Sequence, residues 1–270
     1  MRIAPFLSLF CLVATTLLAQ KGIKESAAPV EPIVIDGVVD EWPNEWMLDP
    51  KGKFLFNVCN DDQNLYLRIK ISDNMTQTKV GLFGLTVFLN PEGKKIGKMG
   101  LKYPVGKDPN ELKVEKAKAP AADEAEYQQR KKDLIQDVEV VELVGFTKQN
   151  IVSSRLGLMN GVQVFIAPSS DGAYLYEAKI PFKAYKIDKS KVKVLGLGFV
   201  TGKYTEVTKG NANANNNAMA PAGGYGGGSP YGPRGYGYGG GYGSGMQGAS
   251  TRSYNPMGVS TYMSVGIKLK

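Results

Sequence analysis

Asp61, Asp62 and Asn64 crowd oxygen-bearing side chains into one short turn, the donor chemistry that a hard cation such as calcium takes. Calcium wants about six to eight oxygens, and this set lacks the spacing of an established calcium loop. A hairpin turn capped by its own Asp and Asn side chains is therefore the preferred reading, with a structural calcium as the alternative. Trp42 and Trp46 are the only two tryptophans. An indole carries a broad apolar face and one polar N–H, so each ring can pack a turn or present a platform to a ligand. Trp42 reads as packing, whereas Trp46 stays open between the two roles. Both are retained as candidate ligand-binding residues, and Asp61, Asp62 and Asn64 as candidate metal ligands.

The chain contains no histidine. That removes the commonest general base, the usual zinc ligand and the usual axial haem ligand, and it excludes Ser-His-Asp and Cys-His nucleophiles. Once Cys11 is assigned to the leader described below, Cys59 is a lone thiol that can form no internal disulfide. It lies in an apolar stretch without a histidine to activate it, so it is expected to be buried and inert. Paired carboxylates for glycoside hydrolysis would have to come from separate loops, and no motif marks such a pair. Asn74-Met75-Thr76 matches a glycosylation acceptor, a pattern without meaning in a bacterial protein. No catalytic residue and no organic cofactor is assigned.

The elements that must position these residues are strands. Leu65, Leu67, Ile69 and Ile71 alternate with Tyr66, Arg68 and Lys70, the period of a strand with one apolar face. Leu85, Val87 and Leu89 repeat the pattern and close on the turn Asn90-Pro91-Glu92-Gly93. Further strands are expected at Val138, Val140 and Leu143, at Val162, Val164 and Ile166, and at Tyr174, Tyr176, Ala178 and Ile180. Leu195, Leu197 and Phe199 follow, and Val259, Thr261, Met263, Val265, Ile267 and Leu269 form the last apolar face. Such strands, joined by turn residues and each with one face toward water, describe an all-β, antiparallel two-sheet β-sandwich.

Two stretches interrupt the pattern. Residues 121–135, rich in Ala, Glu, Gln and Lys, predict one short inserted helix, solvated on its surface and carrying the i,i+4 pair Glu126–Arg130. Residues 208–256 carry no strand signal. From Pro221 to Ser250, 14 of 30 residues are glycine and five are tyrosine, too little apolar surface to offset backbone entropy. A disordered Gly/Tyr-rich loop before the last strand is expected, and loop closure costs only logarithmically more with length. Its tyrosines, with Arg234, have the chemistry for self-association or adhesion to a polymer.

The chain starts with Arg2 and an apolar run from Ile3 to Leu18, too short for a span of about 20 residues, so residues 1–19 read as a cleaved signal peptide and 20–32 as a linker. Residues 33–270 then form a single domain. No later stretch is apolar enough to be a transmembrane segment, so the protein is expected to be secreted, periplasmic or at the cell surface. The net charge of +8 favours anionic polymers or surfaces. Eight lysines against four acids lie between Glu92 and Lys118, a stretch that reads as a solvated loop. No nucleic-acid motif accompanies the charge, so nucleic acid is not an expected partner.

Three strings occur in order: Asp36-Gly37 followed by Trp42; Asp61, Asp62 and Asn64 before Leu65-Tyr66; and Tyr174, Glu177, Ile180 and Pro181. Together they resemble the family 9 carbohydrate-binding modules, also called the DOMON-like fold, over residues 33–200 plus the closing strand. The leader's end resembles that of secreted Bacteroidota proteins. The resemblance implies a non-catalytic module that binds a glycan or envelope polysaccharide, and a structural calcium. Sugar-binding members clasp a terminal sugar between two tryptophan faces, and no late tryptophan supplies the second face here. A structural or adhesive envelope protein is the alternative, and a glycan-acting enzyme a distant third.

Overall fold

The structure, a computed structural model, describes residues 23–205 and 255–270, apart from 39, 50, 94–95, 119–120, 137, 147–150 and 156–160. The expected signal peptide lies outside the described residues, as does the 208–256 stretch up to residue 254. In chain order, β1 (Ile23–Glu25), β2 (Met47–Leu48), β3 (Leu55–Asn60) and β4 (Asn64–Ile71) precede a helix, α1 (Asn74–Phe83). Strands β5 (Leu85–Asn90) and β6 (Met99–Lys102) lead to helices α2 (Pro109–Ala117) and α3 (Glu124–Ile135). Then come β7 (Val140–Val144), β8 (Ile151–Arg155), β9 (Gln163–Pro168), β10 (Tyr174–Pro181), β11 (Leu195–Thr201) and β12 (Tyr262–Lys268).

Among the described residues these strands form a seven-stranded sheet, β1-β12-β11-β5-β6-β7-β8, facing a five-stranded sheet, β2-β3-β4-β10-β9. The period-two pattern explains the pairing. Leu65, Leu67, Ile69 and Ile71 of β4 lie beside Tyr174, Tyr176, Ala178 and Ile180 of β10, in antiparallel register Tyr174↔Ile71 through Ile180↔Leu65, all buried. They meet Leu85, Val87 and Leu89 of β5, Leu195, Leu197 and Phe199 of β11, and Met263, Val265 and Ile267 of β12 in one apolar cluster. Both faces of the sandwich are thus drawn from every-other-residue side chains, and the all-β expectation holds.

Four expectations are corrected. First, three helices, not one, are present among the described residues. Helix α1 starts where Asp73 accepts from Thr76 N–H, 2.9 Å, and α2 where Asp108 and Glu111 form a reciprocal capping box ahead of Pro109. Both starts are side-chain caps for orphan N–H groups, and α2 lies in the lysine-rich stretch that reads as a solvated loop. Second, α3 is not a solvated helix: Lys131, Leu134 and Ile135 are buried. Third, the linker 20–32 supplies β1, which pairs in parallel with β12, and Ala27, which bridges Cys59. The β1 pairing covers what would be the free edge of β12, while the Ala27 bridge reaches β3 of the other sheet. Fourth, β7 turns Val141 and Leu143 into the main core while Val140 is 37% exposed, so the inward face there runs one residue out of phase with the expected Val138–Val140 pair; Val144 packs on the opposite face with Phe88 and Val200.

β11 and β12 are antiparallel neighbours, with Val200 opposite Tyr262, so the 208–256 stretch joins two adjacent strands. Among the described residues, no helix is long and apolar enough to cross a membrane.

Candidate functional site

The three sequence strings meet on the outer face of the five-stranded sheet. Alternation alone turns Tyr66 and Arg68 of β4 and Glu177 of β10 toward water. Instead residues 26–46 lie across them, and Tyr66 is 6%, Arg68 2% and Glu177 0% exposed. Gly37, at φ +86°, donates its N–H to Glu177 Oε2 at 3.0 Å. A Cβ at position 37 would stand 2.5 Å from the Phe165 ring, so both the backbone angle and the space require glycine. Trp42 is buried against Ile33, Cys59 and Tyr66. The Arg68 guanidinium lies 5.2 Å from the Trp42 ring and 4.3 Å from that of Trp46, which keeps 36% of its surface. Asn57 Nδ2 fastens the segment by donating to Pro43 O at 2.8 Å and Glu45 O at 2.7 Å.

Burial dominates the electrostatics here. It pushes the Glu177 carboxyl up to about 7, against the opposing pull of the Gly37 N–H and Arg68 and with a smaller push from Glu41. Burial likewise pushes Arg68 down, and the Cys59 thiol up to about 11. Cys59 is therefore expected to ignore a thiol reagent in the native protein and react on unfolding; rapid labelling of the folded chain would show that the segment over it opens.

Asp61 holds the second string together. Its Oδ1 accepts from the N–H groups of Gln63, 2.7 Å, and Asn64, 2.6 Å, and its Oδ2 from Tyr66 OH, 2.9 Å. Asn64 Nδ2 also turns toward that carboxylate, at 3.2 Å. Asp62 points out and pairs with Lys189, 2.8 Å. The turn satisfies its own donors, as an Asx turn does. Among the described residues, no group of three or more His, Cys, Asp or Glu side chains could hold a metal ion. A chelator is expected to leave the melting temperature unchanged, and a clear fall would assign a structural ion.

Trp42 and Trp46 line neither of two grooves that open elsewhere. The first, about 640 Å³, runs along the edge strand β9 beside Tyr103, Ile135, Val138 and Phe165, with Lys132 and Glu139 among its polar residues. The second, about 400 Å³, lies among the three helices and the chain on either side of the Gly/Tyr-rich stretch. Its aromatic lining is Phe83 of α1, Tyr127 of α3 and Tyr204, and its polar lining includes Glu115, Arg130 and Asn255. This second groove combines aromatic surface with converging polar groups, the make-up of a small-molecule site, and is the stronger candidate.

Helix geometry builds it. Tyr127, Arg130, Lys131 and Leu134 are spaced i, i+3, i+4 and i+7 on α3, one stripe of its surface. Thr78, Leu82 and Phe83 come from α1, and Leu112 and Glu115 from α2. The helices α1 and α3 approach closely at Gly81, where a Cβ would stand 2.6 Å from Leu134 Cβ. Arg130 is held in place by Glu126 of the preceding turn, and Glu115 by Lys118 at 2.7 Å. Burial pushes the Tyr127 phenol up, so it is a neutral hydrogen-bonding group at ordinary pH. None of these groove residues is marked by a motif. The stripe on α3 was the available signal.

No protein-family model matches this sequence. No characterised protein matches it in a comparison of sequences. Among solved structures, the chain is similar to a family 9 carbohydrate-binding module from Caldicellulosiruptor kristjanssonii, in complex with glucose. The alignment covers 92% of this chain and 95% of that one, at 14% identity and a TM-score of 0.36. A likeness at that level assigns neither ligand nor activity to this chain.

Proposed function

We propose that this protein is an exported, non-catalytic binding module whose ligand is a glycan or envelope polysaccharide, held in the groove among α1, α2 and α3. The observation that carries the reading is the composition of that groove. Sugar rings present apolar C–H faces and a rim of hydroxyls, and Phe83, Tyr127 and Tyr204 offer aromatic surface beside Glu115, Arg130 and Asn255. The volume, about 400 Å³, suits one or two sugar residues rather than a long cleft. The missing histidine, and the ion pairs that occupy Glu115 and Glu126, support binding without turnover. The Asp61 turn is proposed to work without a resident ion, its carboxylate being engaged by protein donors.

A glycan array probed with the chain from residue 20 tests this. The same array is probed with a chain lacking residues 208–254. Binding by both is the expected result, and the absence of any glycan ligand for the intact chain would overturn it. One observation favours a second reading, a structural or adhesive envelope protein. Tyr204 and Asn255, close to the two ends of the Gly/Tyr-rich stretch, both line the groove. Self-association that depends on residues 208–254, with no glycan bound, would select that reading.

A further inference from the structure

Three cations are buried among the described residues: Arg68, Lys79 and Lys131. Arg68 faces Glu177 beneath the opening segment. The two lysines have no such answer. Lys131, 4% exposed, donates to two neutral acceptors, Gly172 O at 3.2 Å and Asn74 Oδ1 at 3.4 Å. Lys79, 5% exposed, donates to Val259 O at 2.7 Å and Thr261 Oγ1 at 3.3 Å. Neither forms an ion pair with a described carboxylate. A buried ammonium without a counter-charge is costly, and it sets up a positive potential in its surroundings that water screens poorly.

Lys131 sits at the groove, and Lys79 lies behind its wall, outside the lining. Lys131 lines it, and its ammonium lies 5.4 Å from the ring of Tyr127, another groove residue. Lys79 follows Thr78 of the groove wall on α1, and it grips the chain just beyond Met257 of the opposite wall. The neighbouring acids do not cancel them. Glu126 is taken by Arg130, Glu115 by Lys118 and Asp73 by Lys53, 2.5 Å. Glu124 acts on Lys131 only as a weaker, more distant charge, and Asp73 acts likewise on Lys79 against Lys53. Burial pushes both lysines down from their ordinary range, the direction expected of cations that lack a close anion.

We propose that this groove selects acidic sugars, uronate residues above neutral ones, the ligand's carboxylate supplying the counter-charge that the fold withholds from Lys131. The inference rests on the reading of the groove as a glycan site and adds the ligand's charge to it. It also distinguishes a built site from the lysine-rich surface between Glu92 and Lys118, which would attract any polyanion.

Calorimetric titration of the chain from residue 20 with trigalacturonate and with its neutral methyl ester tests the proposal. The acid is expected to bind about tenfold more tightly than the ester, the scale of one charge interaction at an incompletely screened site. In Lys131→Met the acid-to-ester ratio should fall to about two, while the ratio in a Lys98→Gln, Lys113→Gln variant of two exposed lysines stays near ten. Should Lys131→Met fail to fold, Lys131→Gln, which keeps a donor for Gly172 O and removes the charge, carries the same comparison. Equal affinity for acid and ester would overturn the acidic preference and leave the glycan reading standing. A preference that survives neutralisation of Lys131 and disappears in the surface variant would overturn it too. Binding of neither sugar would remove the glycan reading along with it.

Discussion

Phe199→Ala is expected to lower the folding stability by about 3–5 kcal/mol, the cost of deleting a fully buried aromatic side chain from a core. Phe199 belongs to β11 of the seven-stranded sheet, and its ring meets Phe54 at 5.7 Å and Phe56 at 5.5 Å, both edge-on, from the opposite sheet. It is therefore one of the bolts between the layers. Because a domain's whole stability is about 5–15 kcal/mol, the variant should unfold at a much lower urea concentration with an unchanged slope. Phe199→Leu, which refills part of the volume, should cost clearly less. A loss below about 1 kcal/mol for the alanine variant would mean that the two sheets do not pack through this ring.

The second large effect is a dependence on pH centred on Glu177. Its folded-state value is about 7 against an ordinary 4.5, so the folded protein holds the proton more tightly than the unfolded chain. Stability from this group is accordingly complete below about pH 4.5 and is lost as the pH rises toward 7. The full change is on the order of 3 kcal/mol. Arg68, Glu41, and the backbone N–H groups of Asp36 and Gly37 set the balance, with burial the largest contribution. Glu177→Gln keeps a hydrogen-bonding side chain opposite Gly37 but cannot ionise. It should flatten the slope of stability against pH between 4.5 and 7. An unchanged slope in that variant would place the titrating group elsewhere. Other carboxylates run the opposite way: Lys70 and Ser169 pull Asp171 down to about 2, so its contribution is lost only in strong acid.

Much of the strand framework was legible because alternation is a direct imprint of burying one face. Leu65 through Ile71, Leu85 through Leu89, Tyr174 through Ile180 and Met263 through Ile267 all appear where the pattern places them. What the pattern could not show is a second cover on the outer face. Tyr66, Arg68 and Glu177 are polar or amphipathic, so they read as solvent-facing, yet the segment around Trp42 desolvates them. The clue was present in another form: Gly37 and Glu177 belong to strings that look unrelated in sequence and are joined by one hydrogen bond. A contact across 140 residues has no local signature.

Helices α1 and α2 escaped the pattern for a different reason. Their apolar faces are weak; α2, which is charged, was hidden in a lysine-rich stretch, and α1, with Lys79 its one charge, behind a short Asn-Met-Thr pattern. Their caps were the legible part, Asp73 before Thr76 and Asp108 before Pro109 and Glu111. The groove followed the helices into obscurity, since Tyr127, Arg130, Lys131 and Leu134 form a stripe only once α3 is known to pack. Trp46, by contrast, drew notice through its residue type and lies over Arg68, outside the groove lining.

That contrast supplies the most direct test. Affinity for whichever glycan the intact chain captures is measured for the unmodified protein, Tyr127→Ala and Trp46→Ala, each checked for a native melting transition. Tyr127→Ala should bind about tenfold more weakly, a loss on the order of 1.4 kcal/mol for one aromatic platform, while Trp46→Ala binds as the unmodified chain does. Loss of binding in Trp46→Ala with Tyr127→Ala unaffected would place the ligand over the opening segment and contradict a site among the helices.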